Sequence, residues 1–239
     1  MFGAWEVGVW KALYGRFQPS LVVGTSAGAL NGWAIAGGCT PEELVREWTD
    51  PLTARLMQPG LHRGGFFRPE ALHAKAQELF ARFRPRIPFG LTLTEVPRLR
   101  PRLVRDGEIT WRHLAATCSI PLGFPPVEID GRRYVDGGLL GALPVWAAEE
   151  MGARRAIAVN ALTTLPFRML RKVIRPRRAS AALEVVTIEP SVELGSLRDA
   201  SRWKAVNIAR LIELGERDAN RILASVNVVN GCYLGGEIL

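Results

Sequence analysis

The run Leu21-Val22-Val23-Gly24-Thr25-Ser26-Ala27-Gly28-Ala29-Leu30 constrains this chain more than any other stretch of it. Leu21 to Val23 are apolar, two of them β-branched, which predicts the end of a buried strand. Residues 27–36 are rich in Ala and Leu and read as helix in spite of Gly28 and Gly32. Between them stands Gly-x-Ser-x-Gly. A serine on so tight a strand-to-helix turn is held in strained backbone geometry, its hydroxyl thrust out at the end of the sheet. Gly24 and Gly28 are expected there because a Cβ at either place would meet the neighbouring strand or helix. Thr25 and Ala27 complete the turn. The helix start behind it offers unpaired N–H groups and a positive dipole end, where negative charge would develop on a reacting acyl group.

The remaining elements fall on either side of this turn. Trp5, Val9 and Leu13 repeat at helical spacing over 4–14, with Gly15 as a C-cap. Thr40-Pro41-Glu42-Glu43 is a capping box with proline at the first helical position, and predicts a helix to about residue 49. Residues 51–67 have weak periodicity, so no element is assigned to them. A helix is expected over 68–83 and a strand over 91–96. Residues 102–104 and 108–109, flanking Asp106-Gly107, predict a second strand and a hairpin turn. A short helix over 111–119 ends at Pro121. Strands over 124–129 and 133–135 flank an Asp130-Gly131 turn. A helix over 144–151, strands over 156–161 and 183–188, and an amphipathic helix over 201–225 complete the list. Strands alternating with helices predict an α/β fold, a layered α/β/α arrangement with a largely parallel central sheet. With neither repeat nor linker, residues 1–239 are expected to form a single domain.

Composition narrows the setting. Hydrophobic content of 48% with 23% charged residues is ordinary for a globular chain, and no apolar run is long enough to cross a bilayer. Residues 1–6 lack the basic-then-apolar layout of a secretory leader. Cys39, Cys118 and Cys232 are odd in number and widely spaced, which argues against a disulfide framework or a zinc site. A cytoplasmic protein is therefore expected. The net charge of +8 suggests an anionic partner, nucleic acid or a membrane surface.

A serine hydroxyl needs a base. His62, His73 and His113 all precede Asp136 and none follows it, so the order Ser, acid, His of the α/β-hydrolases cannot be filled. Each histidine is read as a solvated residue with no special role. Asp136 is the better candidate: it ends a strand, two glycines follow, and sites in open α/β sheets gather at the carboxyl ends of strands. It is equally an Asp-Gly turn, like Asp106-Gly107 and Asp130-Gly131. The residues by themselves leave both readings open.

Gly3-Ala4-Trp5-Glu6-Val7-Gly8-Val9-Trp10-Lys11-Ala12-Leu13 resembles the first helix of the patatin-like phospholipases, and Gly24-Thr25-Ser26-Ala27-Gly28-Ala29-Leu30-Asn31 resembles their nucleophile elbow. Ala116-Thr117-Cys118-Ser119-Ile120-Pro121, Phe124-Pro125-Pro126-Val127 and Tyr134-Val135-Asp136-Gly137-Gly138 resemble the segment that delivers that family's aspartate. The resemblance covers nearly the whole chain. It implies a serine acyl hydrolase acting on fatty-acyl esters of lipids, with Ser26 as nucleophile, Asp136 as base, an acyl-enzyme intermediate, and no metal or organic cofactor. Gly137 and Gly138 would frame the aspartate. The unperturbed aspartate pKa of about 3.9 is low for such a base, so burial is expected to raise it.

Two departures accompany the resemblance. The family's oxyanion loop, Gly-Gly-Gly-x-Arg-Gly after a first strand, is represented here by Gly3 alone, with Phe2 where the family often has Arg. The missing strand and loop are expected upstream of residue 1. A lipid- or partner-binding protein without turnover is the alternative. Leu139-Leu140-Gly141-Ala142-Leu143-Pro144 also has Gly-Ala where the family usually carries Asn. Finally, Arg168, Arg171, Lys172, Arg175, Arg177 and Arg178 are interleaved with apolar residues, a pattern suited to peripheral contact with an anionic membrane. No nucleic-acid motif accompanies the charge, and no nucleic-acid partner is expected.

Overall fold

A computed structural model describes residues 1–62, 65–162, 180, 182–195, 203–225 and 236–238. In chain order the elements are α1 (Gly3–Leu13), β1 (Pro19–Gly24), α2 (Ala27–Ala36), α3 (Pro41–Thr49), α4 (Pro51–Ala54), β2 (Pro59–His62), β3 (Gly65–Phe67) and α5 (Pro69–Arg82). They continue with β4 (Phe89–Val96), β5 (Arg100–Arg105), α6 (Trp111–Thr117), β6 (Val127–Ile129), β7 (Arg132–Asp136), α7 (Val145–Glu150), β8 (Arg155–Val159), β9 (Glu184–Ile188), α8 (Ala205–Ser225) and β10 (Gly236–Ile238).

Among the described residues, β2 and β3 form a separate antiparallel hairpin and the other strands form one mixed sheet. Strands β4, β1, β10, β8 and β9 run parallel, while β5, β7 and β6 join antiparallel. The parallel centre and the helices on both faces agree with the layered α/β expectation. Period-two alternation divides the core: Val22 packs with Trp5, Trp33 and Leu211 on one face, Leu21 and Val23 with Trp146 and Ala147 on the other. Helices α1 and α8 cross at very short range. A Cβ on Gly8 would lie 1.9 Å from the Ile212 carbonyl oxygen, and one on Gly215 would lie 2.0 Å from that of Trp5. Only glycine allows the two backbones to approach this far.

Strand β4 decides where the site forms. Its residues 90–95 pair with β5 along one edge. Phe89, Gly90 and Leu91 pair with β1, and Leu93 to Val96 pair with β7. Because β5 holds the first edge throughout, β1 and β7 share the other one end to end. Strand β1 is parallel to β4 and β7 is antiparallel, so their carboxyl ends meet at Thr92, with Gly24 opposite Leu91 and Asp136 opposite Leu93.

Most boundaries lie within a residue or two of expectation, and the Thr40–Glu43 capping box makes both of its hydrogen bonds. Two regions differ. Asp106-Gly107 is no hairpin turn: residues 106–108 form a 3-10 turn leading into α6, and the β4–β5 reversal falls at Pro97–Leu99. Residues 51–67 hold α4 and the β2–β3 hairpin, elements so short that no periodicity could declare them. No helix among the described residues is long and apolar enough to cross a membrane.

Candidate active site

Ser26 lies one residue past the end of β1, after Thr25, and has φ 56, a left-handed backbone that a residue with a Cβ enters only at a cost. Several contacts hold it there. The Ser26 N–H donates to Thr117 Oγ1 (2.9 Å), and the Thr117 hydroxyl donates to the Thr92 carbonyl (3.0 Å). The hydroxyls of Thr25 and Thr92 hydrogen-bond beside them. A Cβ on Gly24 would sit 2.5 Å from both Ala29 Cα and the Gly28 carbonyl oxygen, so this close approach requires glycine. Gly28 departs from expectation: the nearest atom to a Cβ there is Glu6 Oε2 at 3.6 Å, an ordinary contact.

Ser26 is also the N-cap of α2. Serine in this position usually turns its oxygen back onto the first helical N–H groups. Here it makes no such bond, and its hydroxyl lies close enough to the Asp136 carboxylate to lower that group's pKa. The Ala27 and Gly28 N–H groups precede the first hydrogen bond of α2, which the Ala29 N–H donates to the Ser26 carbonyl (2.9 Å), and both residues are partly exposed.

Asp136 is 5% exposed. Its N–H donates to the Ser119 carbonyl (3.0 Å), and its carboxylate accepts the Gly138 N–H (2.7 Å). Burial pushes its pKa up to about 6, and the nearby Ser26 hydroxyl and the Gly138 N–H oppose that rise. Gly137 crosses β4 so closely that a Cβ would lie 2.4 Å from the Thr92 carbonyl oxygen.

Gly3 stands at the start of α1, where a Cβ would meet the Trp48 ring at 2.6 Å and the Ala27 methyl at 2.7 Å. Its carbonyl accepts from Asn31 Nδ2 (3.0 Å), which also donates to Glu6 Oε2 (2.8 Å), while Trp48 Nε1 donates to Asn31 Oδ1 (2.7 Å). Burial pushes the Glu6 carboxyl up to about 7, against the hydrogen bond from Asn31. This network ties α1 to α2 beside the serine turn. A cavity of about 50 Å³ lies behind it, lined by Glu6, Trp10, Gly24, Gly28, Leu143 and Val159 among others.

Thr92, Thr117, Asn31 and Glu6 escaped sequence reasoning because no spacing links them to Ser26. The histidines stay apart. His113, read as solvated, is buried, and its Nδ1 accepts the Thr110 N–H (3.1 Å) at the start of α6. Burial holds its pKa low. His73, also read as solvated, is half-buried with its ring edge-on to Trp111. The side chain of His62 lies outside the described residues, as do Cys232 and the basic residues Arg168, Arg171, Lys172, Arg175, Arg177 and Arg178. Cys39 and Cys118 are buried free thiols.

Residues 1–149 match the family model "Patatin-like phospholipase". Mouse patatin-like phospholipase domain-containing protein 6 is 28% identical over 171 residues, 66% of this chain but 12% of that protein. An uncharacterised NTE family protein of Mycobacterium bovis is 28% identical over 163 residues, 65% of this chain and 44% of its own. The chain thus spans less than half the length of either relative. The crystal structure of VipD from Legionella pneumophila superimposes with a TM-score of 0.52 at 10% identity, covering 94% of this chain and 65% of that one. That likeness extends the shared fold past residue 149, and with more than half of its residues inside the family model, the chain belongs to the patatin-like phospholipase family.

Proposed function

We propose that this chain is a lipid acyl hydrolase in which Ser26 is the nucleophile and Asp136 the general base. One observation carries the reading: Ser26 forgoes its capping bond and stands close enough to the buried Asp136 carboxylate to oppose the rise that burial gives it, to about 6. Such a base is ionised at neutral pH yet basic enough to accept the proton. Ser26 Oγ attacks the acyl carbonyl carbon as its proton passes to Asp136. The oxyanion forms against the first N–H groups of α2, with the start of α1 at Gly3 close by. Collapse expels the alcohol, which takes its proton from Asp136, and leaves Ser26 acylated. Water then attacks the ester, giving its proton to Asp136, which passes it to the departing Ser26 Oγ, so that the fatty acid leaves with the serine hydroxyl and the carboxylate both restored. An aspartate that takes the proton from the serine itself needs no third residue to set a tautomer.

Family membership supports the lipid-ester substrate class. Hydrolysis of p-nitrophenyl butyrate by the chain, by Ser26→Ala and by a version extended upstream tests the reading. Turnover is expected to require Ser26. The binding-only alternative would be adopted if the chain and its extended form were both no faster than Ser26→Ala.

A further inference from the structure

Ile120 and Leu122 follow Ser119, the residue whose carbonyl receives the Asp136 N–H, and both are exposed, Leu122 to 77%. Phe66, the middle residue of β3, is 68% exposed. The two loops form one piece of backbone: the Phe66 N–H donates to the Leu122 carbonyl (3.0 Å) and the Phe67 N–H to that of Gly123 (2.9 Å). Gly65 lies so near that a Cβ would stand 2.5 Å from the Gly123 carbonyl oxygen. Beneath this surface the rings of Phe67 and Phe124 pack at 5.5 Å. The platform is therefore braced, and three large apolar side chains stand on it in water.

Leu122 is doubly unfavourable where it is. Its φ of 67 is a left-handed backbone suited to glycine or asparagine, and its side chain is almost wholly solvated. Neither feature helps this chain fold. Three residues of chain span at most about 10 Å, so Leu122 stands within that distance of Ser119 at the edge of the site.

Charge identifies what the platform meets. Arg55, Arg68 and Arg112 are exposed on the segments that supply both loops, with Asp50, Glu70, Glu108 and Glu128 at their flanks, in a chain whose net charge is +8. An arginine-bearing surface with projecting Phe, Ile and Leu on a net-basic chain complements an anionic lipid interface, in which apolar side chains enter the acyl boundary while basic groups stay among the headgroups. We infer that Phe66, Ile120 and Leu122 form a docking surface by which the Ser26–Asp136 mouth sits on an anionic lipid layer. The inference rests on the lipid-ester reading above for its purpose, though not for its test.

Vesicle co-sedimentation tests it on the full chain, with phosphatidylglycerol-containing and pure phosphatidylcholine vesicles at low and high salt. Leu122→Asn removes the apolar side chain and suits the left-handed backbone, so it should melt no lower than the parent. Combined with Phe66→Ser it should reduce partition onto anionic vesicles at least tenfold. Hydrolysis of vesicle lipid should fall by a similar factor, and that of p-nitrophenyl butyrate less than twofold. Unchanged partition of a folded variant would overturn the inference. So would a parent dimer that the substitutions split without loss of vesicle binding, which would assign the surface to a second copy. An inactive chain that still loses vesicle binding on substitution supports docking and counts against the hydrolase reading alone.

Discussion

Asp130 and Asp136 stand at the two ends of one short strand, each followed by glycine, and the fold puts them to opposite uses. Asp130-Gly131 turns β6 into β7 with left-handed backbone at both residues, φ 49 and 72, and Asp130 is exposed. Asp136 ends β7 opposite Leu93, keeps φ −47, and is 5% exposed against the serine turn. The same dipeptide is a hairpin in one place and a buried acid in the other. What separates them is the neighbour across the sheet. Asp130 lies past the end of its ladder in water, whereas β4 carries Asp136 to the point where β1 ends. An aspartate's chemistry here is set by strand register.

The largest expected effect that would break this contrast is in catalysis. Asp136→Asn should lower kcat/KM on p-nitrophenyl butyrate by about 1000-fold, within the range for loss of a general base. Asp130→Asn, in which asparagine suits the same left-handed turn, should stay within about twofold. Comparable losses from both would remove the distinction.

The glycines should differ next. Gly137→Ala sets a Cβ against the Thr92 carbonyl oxygen on a β4 backbone that cannot yield, and should cost about 2–3 kcal/mol by urea unfolding. Gly131→Ala meets open space at φ 72 and should cost about 1 kcal/mol, the strain of the backbone alone. Equal losses would mean that the β4–β7 junction is looser than its geometry implies.

The pH profile should show the smallest effect. Because burial raises Asp136 from 3.8 to about 6, the ionised base fills only as pH passes 6. At pH 5, kcat/KM should be about one tenth of its plateau. The sign for stability is opposite: the folded chain holds this proton more tightly than the unfolded one, so the group's contribution is full below about pH 4 and lost as pH rises through about 6. An acid limb centred near pH 4 would place Asp136 in a solvated setting like that of Asp130.

Much of the fold could be read along the chain because its signals are local. The α2 bounds come from composition, the start of α3 from Thr40 and Glu43, and the β6–β7 reversal from Asp130-Gly131. Residues 51–67 could not be read, since two very short strands pair through backbone bonds and display no alternation. His113 was misread for a related reason. Its neighbour Arg112 is exposed, but the helix turns the imidazole inward, where it receives the N–H of Thr110.

By itself the sequence determined the strand-turn-helix around Ser26, for Gly24 and the apolar run before it allow little else, and it excluded the histidine order of the common triad. It could not choose among three Asp-Gly pairs. Tertiary structure sets Asp136 apart from the other two and brings it beside Ser26, because strands β1 and β7, more than a hundred residues apart, end head to head on one edge of β4. It also decided that Thr117 holds the Ser26 N–H, that Asn31 joins Glu6 to Trp48, and that burial lifts Asp136 toward a useful pKa. Hydrogen bonding along one segment is written in neighbouring residues, whereas register and desolvation arise only when distant segments pack.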